Sequence, residues 1–393
     1  MKITFVTTRY GEGLGGKENY LVALARALVA AGHAVRVLTR AVDAFPELAG
    51  DARFTSRRPP VAYTGPDGIE VRTVAPRGRA RQLVRPAYRL HFYRSTFWLA
   101  AWLFARALAP ELAESIAWAD IVHYDGTGRE LLGYAAAEAC RVAGRRMVVC
   151  PHLHAGRWGD SAPDLALYRG AAGVIAKTQV EAAVLEAGGV ARDRVAVIGN
   201  GPHLPAVGDP DQLAKRLGHP GPYVLFVGRR TEAKGYPVLR SAMERVWSRF
   251  PKVHLLALSP ADDVQRAAHR DKRVHELPAA SEADKDAAYR LAQVLALPSE
   301  AEAFGMVIVE AWSRGVPVVV SRIPTLEEIV TEGITGRLVE PTVEPLAAAL
   351  IDLLDRPDAA REMGAAGRAV VERDYRWDAI AQATLALYER ARG

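Results

Sequence analysis

Arg229 and Lys234 stand five residues apart in Gly228-Arg229-Arg230-Thr231-Glu232-Ala233-Lys234-Gly235, a loop bounded by glycines. The apolar run Tyr223-Val224-Leu225-Phe226-Val227 before it reads as a buried strand, so both cations fall at a strand's carboxyl end. An arginine fork and a lysine point charge in that place suit a diphosphate. A second loop carries the opposite charge. Glu302 and Glu310 lie eight apart after the strand-like Val294 to Leu297, with Gly305 between them to turn the chain into a helix. One carboxylate in the loop and another two turns into the helix can each accept hydrogen bonds from sugar hydroxyls. A third candidate lies near the N-terminus, where Gly11, Gly13 and Gly16 formally match G-x-G-x-x-G. The glycines begin four residues after the strand, however, and the next strand ends in Leu38-Thr39-Arg40 with no acid for a ribose diol; Asp43 comes too late. The loop reads better as backbone N–H groups, with a helix N-terminus behind Gly15 and Gly16, turned towards a phosphate or a sugar.

These loops need strands and helices to hold them. Ile3 to Thr7 is a short apolar strand; Leu21, Leu24, Ala25 and Leu28 recur on one helical face; Gly32 ends that helix and Ala34 to Thr39 is the next strand. This βαβ opening implies a parallel sheet. Asp120 to His123, Arg146 to Cys150, Gly173 to Ala176 and Val195 to Ile198 continue the series as strands. Gly199 to Pro222, rich in Gly and Pro and without periodicity, is the expected linker, and Asp209-Pro210-Asp211 within it reads as turn chemistry rather than a metal motif. A second α/β series runs from Tyr223 through Val253 to Leu258, Val294 to Leu297 and Val316 to Val320. Two doubly wound halves leave a cleft at the carboxyl ends of their strands as the default ligand site.

With 393 residues, two domains are expected. Fifty-one Lys and Arg against 45 Asp and Glu give +6, and half the residues are hydrophobic, which excludes a disordered chain. Cys140 and Cys150 are too few for a disulfide scaffold or a four-Cys zinc site, and no His/Cys spacing points to a metal. No segment reaches the ~18 apolar residues of a membrane span, and Met1-Lys2 leads directly into a strand without a leader, so a cytoplasmic location is expected. One stretch suggests a surface partner. Arg77, Arg79, Arg81, Arg85, Arg89 and Arg94 match the whole +6 excess, and no acid occurs from Val71 to Pro110. Pro86 suits a first helical turn, and Tyr88, Phe92, Leu99 and Trp102 follow near helical spacing. Arginines beside exposed aromatics suit an anionic membrane surface or a phosphate-bearing acceptor; a core helix with solvated flanks is the competing reading.

Taken in order, these residues resemble the retaining glycosyltransferases of family 4, which have the GT-B fold. The resemblance runs nearly the whole length: the Gly15-Gly16 loop, Ala176-Lys177-Thr178 with Glu181, Ile198-Gly199-Asn200-Gly201, the Arg229 to Lys234 loop, the Glu302 to Glu310 block, Thr335-Gly336, and Tyr375-Arg376-Trp377 before a last helix. It implies two Rossmann-like domains facing across a cleft: residues 1–205, completed by a C-terminal helix 376–393 crossing back, and a donor domain 206–375. It further implies that Arg229 and Lys234 neutralise the donor diphosphate, that Glu302 holds the donor sugar, and that Glu310 holds the ribose. Backbone N–H groups near Phe304, Gly305 and Met306 would face the donor, and Gly16 would touch its phosphate end. The family's active-site histidine follows a first-domain strand, where Pro151-His152-Leu153-His154 offers two, with His154 slightly favoured. Ile323-Pro324-Thr325-Leu326 departs from the glycine-rich turn that many members carry before the segment here Glu328-Ile329-Val330. The implied activity moves a sugar from a UDP- or GDP-type donor to a sugar, lipid-linked or small natural-product acceptor, with no metal, no other cofactor and no nucleic acid. A nucleotide-sugar epimerase, an NAD-dependent oxidoreductase and an inactive binding member are the rival readings.

Overall fold

The computed structural model describes residues 1–12, 15–42, 61–65, 67–76, 78–260, 263 and 271–393. Gly13 of the glycine loop, Asp43 and Arg77 lie outside the described residues, as do the side chains of Arg81, Arg85 and Tyr88. The chain forms two compact units: Met1–Gly199 with Trp377–Gly393, and Asn200–Arg376.

In the first unit the strands are β1 (Lys2–Thr7), β2 (Arg9–Tyr10), β3 (Ala34–Thr39), β4 (Ala41–Val42), β5 (Ala62–Thr64), β6 (Glu70–Thr73), β7 (Ile121–Asp125), β8 (Met147–Cys150), β9 (Gly173–Ala176) and β10 (Val195–Val197). Eight of them form one sheet in the order β10-β9-β8-β7-β1-β3-β6-β5, parallel except for β5 against β6; β2 and β4 pair separately. β7, β8 and β9 are buried along their whole length, as β-branched and aliphatic runs in a sheet covered on both faces must be. Helix Gly16–Ala30 starts at the end of the β1 loop, and the last helix, Trp377–Arg392, returns to this unit, where the Tyr388 hydroxyl meets His123 Nδ1 at 2.5 Å.

The arginine-rich stretch forms helix Ala80–Leu90, and the apolar run after it forms helix Phe97–Trp118. Pro86 does not open a helix; it sits inside the first of these, where the bond its N–H would have made to the Gln82 carbonyl is forfeited. The longer helix buries Phe97, Ala100, Ala101, Phe104, Leu108, Leu112 and Ile116 at helical spacing, while Trp98, Leu99 and Trp102 face outward. Its last turn leads into the start of β7, and Arg36 packs over Trp118 at 4.1 Å, so its first turn lies towards the strands' carboxyl ends.

The second unit contains β11 (Tyr223–Val227), β12 (His254–Ser259), β13 (Val274–Pro278), β14 (Ala292–Leu297), β15 (Val318–Ser321) and β16 (Gly336–Val339), all parallel, in the order β13-β12-β11-β14-β15-β16. The expected linker is not irregular throughout. It contains helix Pro210–Leu217, begun by Asp209, whose carboxylate accepts from the N–H groups of Asp211 (2.9 Å) and Gln212 (3.2 Å), and anchored by buried Leu213. Eight residues with one apolar anchor carry too little periodicity to stand out in sequence.

Candidate functional site

The strand order of the second unit reverses between β11 and β14, and the loops leaving those two strands carry the charged motifs. At such a reversal the two loops splay apart and leave a crevice at the strands' carboxyl ends. Here they also touch. Glu300 N–H donates to the Ala233 carbonyl at 3.0 Å, and a Cβ on Gly235 (φ 69°) would lie 2.0 Å from the Pro298 carbonyl oxygen. Only glycine fits there. The approach brings Lys234 Nζ to 2.7 Å from Glu302 Oε1. Arg229 is exposed, whereas its neighbour Arg230 turns inward and bonds the Asp263 carboxylate and Glu276, which fixes the start of the loop. Phe304 is buried edge-on to Tyr375, and Gly305 (φ 87°) opens helix Met306–Ser313 with no side-chain cap. Ile308 N–H donates to the Gly305 carbonyl at 2.9 Å, which leaves the N–H groups of Met306 and Val307 at the start of the helix as anion donors.

Glu310 is placed differently from Glu302. It is buried, with Oε1 at 3.2 Å from Lys285 Nζ and Oε2 accepting from the Tyr289 hydroxyl at 2.7 Å. Lys285 in turn bonds Glu282 and the His203 carbonyl. Burial pushes the Glu310 carboxyl upward against the pull of Lys285. A ribose hydroxyl reaching this carboxylate meets one already engaged by two partners.

In the first unit Gly15 and Gly16 lead into helix Gly16–Ala30, whose Lys17 bonds Thr8 Oγ1 and Glu130 Oε1 (3.2 Å). The two candidate histidines separate. His152 is buried in the left-handed region (φ 50°), a conformation costly for a non-glycine residue and concentrated at functional sites. Its Nε2 lies 2.7 Å from Asp125 Oδ1 and 3.4 Å from Cys150 Sγ, and its ring stands edge-on to Tyr20. Burial holds this imidazole below its ordinary pKa, opposed by Asp125. His154 is half-buried and joins Trp158 through paired backbone hydrogen bonds.

Sequence reasoning named Lys177 and Glu181 only as parts of a family motif, and did not bring Asp125 and Cys150 to His152. Asp125, Cys150 and Lys177 come from the ends of three adjacent strands, far apart in the chain. Lys177 is buried with Nζ 3.3 Å from the centre of the Tyr20 ring, a cation–π contact. Glu181 accepts from the backbone N–H of Lys177 (2.6 Å) and of Leu153 (3.0 Å), tying the histidine loop to the end of β9. His123, Asp125 and Cys150 also offer ligand atoms within 4.8 Å of one another, a grouping that sequence spacing does not reveal. The available signal was a polar residue closing each apolar strand: Asp125 after Ile121-Val122, Lys177 after Val174-Ile175-Ala176.

Comparison with known proteins matches residues 14–204 to the model described as Glycosyltransferase Family 4 and residues 211–370 to Glycosyl transferases group 1. The D-inositol 3-phosphate glycosyltransferase of Streptomyces scabiei is 30% identical over 96% of this chain and 86% of its own length. The phosphatidyl-myo-inositol mannosyltransferase of Mycobacterium leprae is 36% identical over 200 residues, 49% of this chain; the match spans about half (52%) of that relative's length. Among solved structures, Anabaena HepE in complex with UDP-glucose superposes with a TM-score of 0.73 over 99% of this chain and 100% of that one, at 19% identity, a likeness of fold.

Proposed function

We propose that this chain, which belongs to glycosyltransferase family 4, moves a sugar from a nucleoside-diphosphate sugar of UDP or GDP type to an acceptor hydroxyl, with retention of anomeric configuration. The observation that carries the reading is the Lys234–Glu302 pair at 2.7 Å, set beside Arg229 and the uncapped start of helix Met306–Ser313 where the strand order reverses. In this arrangement Arg229, Lys234 and the helix N–H groups stabilise the negative charge that develops as the nucleoside diphosphate leaves. Glu302, held by Lys234, orients the donor sugar, and Glu310 braces the nucleotide side from within the unit. Side-chain cations meet the leaving-group charge, so the transfer requires no metal. Support for His152 over His154 at the acceptor hydroxyl is its hydrogen bond to Asp125, which orients the ring.

Two supports bear on the substrates. HepE was solved with UDP-glucose, and the names of both relatives contain an inositol, so UDP-sugars and inositol-bearing acceptors head the panel to be tested. An anionic membrane surface is the proposed setting for a lipid-linked acceptor. Phe92, Tyr93, Trp98, Leu99 and Trp102 are each more than half exposed, flanked by exposed Arg89, Arg94 and Arg106. Among the described residues no helix is long and apolar enough to cross a membrane.

The deciding experiment is a thermal-shift screen of nucleoside diphosphates and nucleotide sugars, since a ligand that binds only the folded state raises the melting temperature. Product analysis follows, with and without acceptor. Acceptor-dependent product with the donor's anomeric configuration supports the reading. Conversion of the donor alone makes the chain an epimerase, and a shift with nicotinamide dinucleotides but no nucleotide sugar makes it an oxidoreductase.

A further inference from the structure

The first unit also carries a charge cluster in a cavity, at the end of its sheet opposite His152. A cavity of about 450 Å3 opens where β8 and β9 begin, and its walls hold Arg141, Arg145, Arg146, Arg194, Arg390 and Arg392 and neither Asp nor Glu. The six arginines come from four segments: the end of helix Leu132–Ala143, the turn into β8, the turn into β10, and the end of helix Trp377–Arg392.

Helix ends account for part of this charge. Helices Phe97–Trp118, Leu132–Ala143, Ala162–Gly170 and Trp377–Arg392 all finish at this edge, each with about half a negative charge, so together they offset roughly two of six positive charges. Arg145 bonds the Ala117 carbonyl at 2.8 Å and Arg194 the Ala171 carbonyl at 3.4 Å, as capping cations do. Arg141 forks onto Glu138 at 2.8 and 2.9 Å. Asp120 faces Arg392, and the carboxylate of Gly393 lies in the same wall, so these duties use more than half of the charge. Arg146 and Arg390 are exposed and have no hydrogen bond or ion pair among the described residues. An uncompensated positive field inside a concavity concentrates anions, and guanidinium forks match phosphate oxygens two at a time.

We propose that this pocket is a binding site for a small, multiply phosphorylated anion, separate from the donor site and at the amino-terminal edge of the sheet. Its volume falls within the ordinary range of ligand sites and admits a few phosphate groups on a compact core. The proposal does not depend on the transfer reading, because none of its residues belongs to the glycine loop, the histidine loop or the second unit.

Titration calorimetry of the full chain with inorganic tripolyphosphate tests it, run in an Arg229→Ala, Lys234→Ala background so that the second unit's diphosphate cations do not contribute. One site per chain is expected, weakened by salt, and weakened at least about tenfold by Arg146→Gln with Arg390→Gln, two exposed changes that leave the melting temperature intact. A parallel arm uses vesicles bearing a phosphorylated inositol lipid. Arginine-dependent binding in solution supports the site and assigns a free anion; arginine-dependent binding on vesicles alone supports it and assigns a lipid head group. Binding that ignores the double substitution, or no binding in either arm, overturns it.

Discussion

Lys234 is the residue on which the proposed chemistry turns. On that proposal it meets phosphate charge that grows in the transition state, so Lys234→Ala is expected to lower turnover by about 10²–10³ while leaving the fold intact, because the side chain is part-exposed and, among the described residues, pairs only with Glu302. Steady-state rates with a verified donor, beside a melting curve, check this; a rate near the parent's removes the clamp. The same argument predicts that EDTA leaves the rate unchanged, and a loss restored by added Mg²⁺ reassigns the charge neutralisation to a metal. Glu181 carries a prediction about pH. Burial raises its carboxyl to about 7 against the pull of two backbone N–H groups, while in the unfolded chain it stays near the ordinary glutamate value. Between those values the folded state holds a proton that the unfolded state has lost, so stability falls as pH rises from about 4.5 to 7, by roughly 3 kcal/mol in total. Glu181→Gln removes that slope. Urea midpoints of both proteins at pH 5 and pH 8 measure it, and parallel pH profiles contradict it.

At the scale of elements, the two charged loops of the second unit depend on one another. Gly235 allows the β11 loop to lie against the Pro298 carbonyl. Gly235→Ala adds a Cβ where 2.0 Å is available and imposes a left-handed alanine, so it costs more than about 1 kcal/mol and separates Lys234 from Glu302. A lower urea midpoint together with lost nucleoside-diphosphate affinity is expected; unchanged affinity uncouples the loops. This dependence was half legible in the sequence. Arg229, Lys234, Glu302 and Gly305 announced themselves because local spacing places them at strand ends. That Lys234 and Glu302 touch follows from β11 lying beside β14, a long-range pairing that no local pattern contains. The same limit hid the meeting of Asp125, Cys150 and Lys177, which is a property of strand order, and it hid the burial of Glu310 behind Lys285 and Tyr289. The strands at the centre of each sheet were legible, since fully buried parallel strands are continuous apolar runs; β5, β6, β13 and β16, which are only partly buried and interrupted by polar residues, were not. Helix Pro210–Leu217 was not, being short, and Pro86 misled because proline marks a first turn more often than an interior one.

At the scale of the whole molecule, the exposed aromatics and the excess of arginine decide whether the protein works in bulk water or at a surface. The first turns of helix Phe97–Trp118 present Trp98, Leu99 and Trp102 to solvent, and the turn before it adds Phe92 and Tyr93. A contiguous set of this size is unusual on a monomer without a partner. Because that helix ends at the amino edge of β7, the patch lies towards the carboxyl ends of the strands, the side of the sheet that carries His152. An acceptor held in an anionic surface would thus be presented to the histidine loop. Two forces contribute, and salt separates them. Each arginine near the surface contributes about 1 kcal/mol, screened over ~10 Å at 0.1 M salt and ~3 Å at 1 M. Each tryptophan seated among head groups contributes roughly 1–2 kcal/mol that salt does not remove. Cosedimentation with phosphatidylglycerol vesicles should therefore fall steeply with salt. The double substitution Trp98→Ala with Trp102→Ala should weaken binding by about thirtyfold to several-hundredfold at every salt concentration, without lowering turnover of a soluble acceptor. Arg89→Gln with Arg94→Gln should instead flatten the salt dependence. Binding that ignores both pairs of substitutions, or no binding at low salt, makes the patch a feature of the folded chain alone and leaves the acceptor in solution.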